Sequence, residues 1–128
     1  MRVLLDTHAL LWWLDGDERL SLKARAWIGD ERNEILVSAA SAWEIAIKVR
    51  LGKLPGAVEM VTQLPACLQE QGFTPLAIRL DHALRAGSLP DIHRDPFDRM
   101  LIAQAQVENL LLLSNEQLFD RYGIARLW

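Results

Sequence analysis

The strand-like segments of this chain are apolar at nearly every position rather than at every second one. RVLL (Arg2–Leu5), EILVS (Glu34–Ser38) and LLLLS (Leu110–Ser114) leave no polar face to turn toward water. A strand of that kind is buried on both sides, which calls for a mostly parallel sheet with helices packed over each face. The expected architecture is a three-layer α/β/α sandwich.

The segments between the strands supply the helices. HALLWWL (His8–Leu14) is helical and stops at Asp15-Gly16-Asp17. LSLKARAWIGD is a second helix with Ser21 as its N-cap. AASAWEIAIKVRLGKLPG is helical up to Leu51; Gly52 fits just past the helix end, and Pro55 bars its return. AVEMVTQLPACLQEQG is amphipathic, and Pro65 is expected to kink or split it. FTPLAI is a weak strand, and LDHALRAGSL is a helix that stops near Gly87. A long helix opens at Asp95-Pro96 and runs through Glu108. EQLFDRYG is a short helix closed by Gly123, and IARLW is a terminal strand.

Composition limits the classes of function. With 128 residues the chain is expected to form one domain, 1–128. Its formal charge of −3 provides no global basic field, which disfavours simple electrostatic DNA binding. An enzyme that meets RNA through a local patch remains open. Cys67 is the only cysteine, so no intrachain disulfide forms and no zinc site can rest on several thiolates. Asp6 interrupts the first apolar stretch too early for a secretory signal, and no run of ~20 apolar residues is present to span a membrane. A cytoplasmic location without membrane attachment is the expectation.

In an open α/β sheet, ligands bind outside the carboxyl ends of the strands. Asp6 follows RVLL, a helix carrying Glu44 follows EILVS, and Asn115 and Glu116 follow LLLLS. DIHRDPFDRM adds Asp95 and Asp98 at a helix start just before the last of these strands. Clustered carboxylates repel one another unless they protonate or a cation joins them. Ligands made only of oxygen suit a hard divalent ion such as Mg²⁺ or Mn²⁺. Such an ion activates water and steadies a phosphoryl group, which points to phosphodiester hydrolysis.

Each acid also has a purely structural reading. Asp95 before Pro96 is an N-cap with proline at the first helical position, and Asp98 then completes most of a capping box. Ser41 and Glu44 match a capping box, and Glu44 can pair with Lys48 one turn on. A helix start near Ser38, however, places Glu44 too deep to cap and surrounds it with Trp43, Ile45, Ala46 and Ile47. Asp6 can serve as a turn residue or helix cap, and Glu116 as an acid in the first turn of a helix. These readings explain each residue separately. The shared location at strand ends favours a common site.

Four blocks carry a family resemblance: LLDTHALLWWL, SAASAWEIAIKVRLGKL, HRDPFDRMLIAQA and LLLSNEQLFDRYG. Together, from Val3 to Gly123, they resemble PIN-domain ribonucleases, and more closely the VapC-type toxins of toxin–antitoxin operons. The resemblance implies a parallel α/β/α fold and a Mg²⁺- or Mn²⁺-dependent endoribonuclease. Matched motif to motif, Asp6, Glu44 and Asp98 correspond to the three acids of the site, and Asp95 to a companion of the third. Ser114 and Asn115 fall in a supporting turn. Glu116 stands where the family usually has aspartate. The extra methylene displaces a carboxylate by about 1.5 Å and favours contact through water over direct ligation.

The resemblance also implies a cognate antitoxin and a homodimer. Trp12 and Trp13 are adjacent on one helix and cannot both face the same core, so one is a candidate antitoxin contact on an apolar surface. Lys48, Arg50, Lys53 and Arg99 are candidates for RNA phosphates, although Lys48 and Arg99 can instead pair with the acids. His93 is read as structural or surface, with a role in orienting a carboxylate as the alternative. His8 is read as opening the first helix, His82 as a surface helix residue and Cys67 as a small core residue. The reading from another class is a PIN-like module that binds RNA or protein without cutting. A phosphoacceptor domain is disfavoured, because no clear acidic pair ends the first strand.

Overall fold

The computed structural model describes residues 1–54 and 58–128. Pro55 lies outside the described residues. Five strands form one sheet: β1 (Arg2–Leu5), β2 (Glu34–Ser38), β3 (Thr74–Leu76), β4 (Leu111–Leu113) and β5 (Arg126–Leu127). Their order is β3-β2-β1-β4-β5, and all four pairings are parallel. β1 is central, with Leu5 opposite Val37 on one side and Leu113 on the other. The helices are α1 (Thr7–Asp15), α2 (Leu22–Gly29), α3 (Ala39–Arg50), α4 (Val58–Gln71), α5 (Leu80–Ser88) and α6 (Pro96–Glu108).

The unbroken apolar strands are explained by two cores. Val3, Leu5, Ile35, Val37 and Leu113 join residues of α1–α4 in one cluster. Leu4, Leu36 and Leu112, pointing the opposite way, join α5, α6 and Phe119 in the other. Successive strand residues face opposite sides, so each apolar position has its own layer to fill. This is the expected three-layer sandwich.

Helix starts are fixed by side-chain caps. The Asp6 carboxylate accepts from the Ala9 N–H, Ser21 from Ala24, Ser38 from Ala40 and Asp95 from Phe97 and Asp98. Each satisfies amides that a helix leaves unpaired at its first turn. Three of these caps matter for function: Asp6 and Ser38 cap helices that leave the carboxyl ends of the neighbouring strands β1 and β2, and Asp95 caps α6.

Several expectations change. α4 is continuous through Pro65. Pro65 and Val61, whose carbonyl loses its helical partner, both lie on the exposed side, where solvent can satisfy that carbonyl. The segment after Glu116 is a 3₁₀ helix, Gln117–Tyr122, closed by Gly123 in the left-handed conformation. β3 and β5 are shorter than FTPLAI and IARLW. Cys67 is half-buried at the side of α4.

His82 corrects the surface reading most clearly, because it is fully buried. Its Nδ1 accepts the Arg79 N–H at 3.0 Å, and its Nε2 meets Glu108 Oε1 at 2.9 Å. The ring therefore carries a proton on Nε2 and ties the start of α5 to the end of α6. Amphipathic spacing alone does not reveal a polar ring that finds partners on both edges.

Candidate active site

Asp6 is the hinge between β1 and α1. Its N–H donates to the Leu113 carbonyl at 3.1 Å, and its Oδ1 accepts from the Ala9 N–H at 2.7 Å. The Ser114 hydroxyl, at the end of β4, lies beside its carboxylate and favours its charged form. Burial pushes the Asp6 carboxyl above the usual aspartate range. The Glu44 charge adds to that rise, while Ser114 and the hydrogen bond from Ala9 oppose it.

Glu44 sits in the second turn of α3, past the Ser38 cap, and is 7% exposed. Its Oε2 pairs with Lys48 Nζ at 2.9 Å. Its Oε1 is buried without a hydrogen-bond partner. Beside it, the Thr7 hydroxyl donates to Ser41 Oγ at 2.9 Å and fastens the start of α1 to α3. From sequence Ser41 was read only as a capping-box partner of Glu44, and its contact with Thr7 was not anticipated.

Asp98 enters from the first turn of α6. Its carboxyl is pushed up to about 6, first by burial, then by the charges of Asp95 and Asp6, with His93 opposing. His93 Nε2 lies 2.6 Å from Asp98 Oδ2, so His93 orients a carboxylate rather than serving only the surface. Asp95 spends Oδ1 on the Phe97 and Asp98 amides. The mutual charge effects join Asp6 to Glu44 and Asp98 to both Asp6 and Asp95. The four acids therefore share one electrostatic environment.

Among the described residues, no three acidic, histidine or cysteine side chains form a ready-made metal cage. Asp6, Glu44 and Asp98 are each engaged by groups of the chain itself: Ser114 and Ala9, Lys48, and His93. The unpartnered Glu44 Oε1 and the strained ionisation of Asp6 and Asp98 are nonetheless what an oxygen-ligated cation would relieve.

The PIN-domain family model matches residues 3–125. The chain belongs to the PIN-domain family. Ribonuclease VapC22 of Mycobacterium tuberculosis is 32% identical over 106 residues, covering 80% of this chain and 78% of that protein. Ribonuclease VapC16 of the same organism is 49% identical over 61 residues, covering 48% of this chain and only 42% of that protein. The VapBC2 toxin–antitoxin complex of Rickettsia felis, solved bound to a promoter DNA fragment, has the same fold. It superposes with a TM-score of 0.73 at 15% identity, covering 99% of this chain and 98% of that one.

The remaining candidates of this PIN domain lie at the end of β4 and farther along α3. Glu116 is exposed and accepts from the Leu118 N–H, capping the 3₁₀ helix. Ser114 is buried, and besides reaching Asp6 its oxygen accepts the Glu116 N–H at 3.0 Å. Asn115 is exposed. Arg50 and Lys53 are exposed too, and Arg50 lies about 9 Å farther along α3 than Glu44 at the usual helical rise.

Arg99 is engaged by the chain's own backbone. Its guanidinium, 12% exposed, donates to the carbonyls of Ala86, Leu89, Pro90 and His93 at 2.7–3.0 Å. Those acceptors wrap a planar five-donor group that a phosphate would otherwise need. Trp12 and Trp13 are both half-buried. Trp12 stacks on His8, meets Trp128 edge-on and lies under the Arg19 guanidinium. Trp13 packs on Phe73 and donates its Nε1–H to Gln71 at 2.8 Å. Neither is the bare indole expected on that helix. Tyr122 was missed: its hydroxyl accepts the His93 N–H and donates to the Pro90 carbonyl, both at 2.8 Å, fixing the loop that delivers Asp98.

Proposed function

We propose that this chain is a divalent-metal-dependent endoribonuclease, the toxin of a toxin–antitoxin pair, which hydrolyses phosphodiester bonds in a cellular RNA. The observation that carries the reading is the convergence of Asp6, Glu44 and Asp98 at one end of the sheet, with Glu44 Oε1 buried and unpartnered. Similarity to ribonucleases VapC22 and VapC16 supports RNA as substrate, and the VapBC fold supports an antitoxin partner. A homodimer and a cytoplasmic location belong to the same reading.

Asp6 and Asp98 would hold Mg²⁺ or Mn²⁺, with Glu44 beside them and Asp95 and Glu116 acting directly or through water. When bound, the ion lowers the pKa of water and stabilises charge on the phosphoryl oxygens. The chain's own contribution is positioning. His93 holds Asp98 Oδ2, Ser114 holds Asp6, and Lys48 offsets Glu44 until the substrate arrives. Lys48 is also the nearest cation on α3 for a phosphate. Arg50 and Lys53 would meet RNA only at a distance from the acids.

Metal dependence is tested with protein stripped of divalent ions and separated from any partner. RNA cleavage is expected with Mn²⁺ or Mg²⁺ and is expected to be lost in EDTA. Cleavage unaffected by chelation would remove the metal from the reading. No cleavage across a broad RNA panel would leave a PIN-like binding module.

A further inference from the structure

Of the five tryptophans, Trp43 alone stands open, 61% exposed. The other four are half-buried. Trp43 meets Phe97 edge-to-face, with ring centroids 5.1 Å apart and planes at 79°. Trp43 immediately precedes Glu44, and Phe97 immediately precedes Asp98. The aromatic pair therefore bridges α3 and α6 where they carry two of the acids. An edge-to-face pair cannot cover both faces of both rings, so exposed π surface remains at the rim of the acid pocket.

We propose that Trp43, seated on Phe97, is the stacking platform for an unpaired nucleobase beside the scissile phosphate. This inference rests on the ribonuclease reading and narrows its substrate to RNA with a base free to leave its stack. The acids of the pocket and Lys48 are taken up with the metal and with one another, so a group indifferent to charge is suited to add binding energy at the rim. A base offers a flat π face, and aromatic stacking accepts any base without hydrogen-bond readout. Arg94 adds charge complementarity. It is exposed, forms no ion pair among the described residues, and stands next to the Asp95 cap of the helix bearing Phe97.

The test combines Trp43→Ala and Trp43→Phe with RNA substrates carrying single abasic sites near the cleavage point. On intact RNA, Trp43→Ala is expected to lower kcat/KM about 5- to 100-fold, the range one stacked base supplies. In wild type, one abasic position is expected to cost a similar factor. In Trp43→Ala the same abasic position is expected to cost nothing further, and Trp43→Phe is expected to recover part of the loss. Equal cleavage by wild type and Trp43→Ala overturns the proposal, as do independent, multiplying effects of the two changes. Unchanged cleavage with lost inhibition by an antitoxin would assign Trp43 to the protein partner and overturn it too. A binding arm uses fluorescently labelled single-stranded RNA with Asp98→Asn protein, with and without Trp43→Ala. Binding that depends on both Trp43 and the base, in a protein whose wild type never cuts, would leave stacking standing and remove the nuclease reading.

Discussion

Asp98→Asn is expected to cleave RNA at least 100-fold more slowly than wild type, yet to be the more stable protein in EDTA at neutral pH. The loss of rate follows from removing a charge that the reaction feels through the metal and the phosphoryl group; single electrostatic stabilisers are typically worth about 10²–10³ in rate. The gain in stability follows from the ionisation of Asp98, whose carboxyl is pushed up to about 6 in the fold, chiefly by burial. A raised carboxyl binds its proton more tightly folded than unfolded. Its contribution to stability is therefore most favourable at low pH, declines as pH rises from about 4 to about 6, and stays at its least favourable above that. A shift of this size corresponds to at most about 3 kcal/mol, and partial exposure of the side chain reduces this to about 1–2 kcal/mol. The asparagine amide that replaces it does not titrate. Urea denaturation in EDTA at pH 4, 6 and 8 should show the difference between the two proteins opening as pH rises. The burial of Asp6 is common to both proteins, and loss of its repulsion with Asp98 adds to the difference in the same direction. Adding Mn²⁺ is expected to raise the wild-type midpoint and leave the mutant nearly unmoved. A mutant no more stable than wild type at pH 8 in EDTA would mean that Asp98 carries no such strain.

The same residue shows what sequence could reveal. Asp98 was legible because a cap needs only one acid, and DIHRDPFD has three aspartates. Asp6 was legible because it ends a strand whose neighbours were recognisable from their unbroken apolar runs. The parallel order followed from those runs as well, since Val3 and Leu4 each require a separate apolar layer. The partners of the acids were less visible. His93 and Tyr122 reach the Asp98 loop across 5 and 29 residues of sequence, respectively. Thr7 meets Ser41 across 34. Contacts of that length leave no periodic trace. Exposure of single aromatic residues was misjudged for a related reason. Trp12 and Trp13 find cover on Trp128, Phe73 and Gln71, which tertiary folding alone brings near, whereas Trp43 stays exposed with Phe97 as its one aromatic partner among the described residues.

Arg99 gives the largest expected effect on stability. From sequence it was either a contact for RNA phosphates or a partner of the acids, and as an RNA contact Arg99→Ala would fold normally and bind RNA more weakly. The structure leads to the opposite expectation. The guanidinium closes the turn between α5 and α6 by donating to four carbonyls, with Asp91 3.6 Å away at its edge. Hydrogen bonds from a charged donor are worth about 1.5–3 kcal/mol each, though several on one side chain do not add fully. Truncation also leaves part-buried carbonyls without partners. Arg99→Ala is therefore expected to lose about 3–5 kcal/mol, a large share of the 5–15 kcal/mol that typically holds a domain of this size. Arg99→Lys is expected to recover less than half, because an ammonium is a compact point charge and cannot span the acceptors of a planar fork. Urea denaturation of both variants measures these losses. At temperatures where Arg99→Lys remains folded, cleavage is expected to slow as well, since the His93 carbonyl held by Arg99 belongs to the residue that orients Asp98. The salt dependence of RNA binding separates the two roles: a phosphate contact would lower the slope of log K against log salt by nearly 1, whereas a structural residue leaves it unchanged. Wild-type stability in Arg99→Ala together with a reduced slope would return Arg99 to the RNA surface.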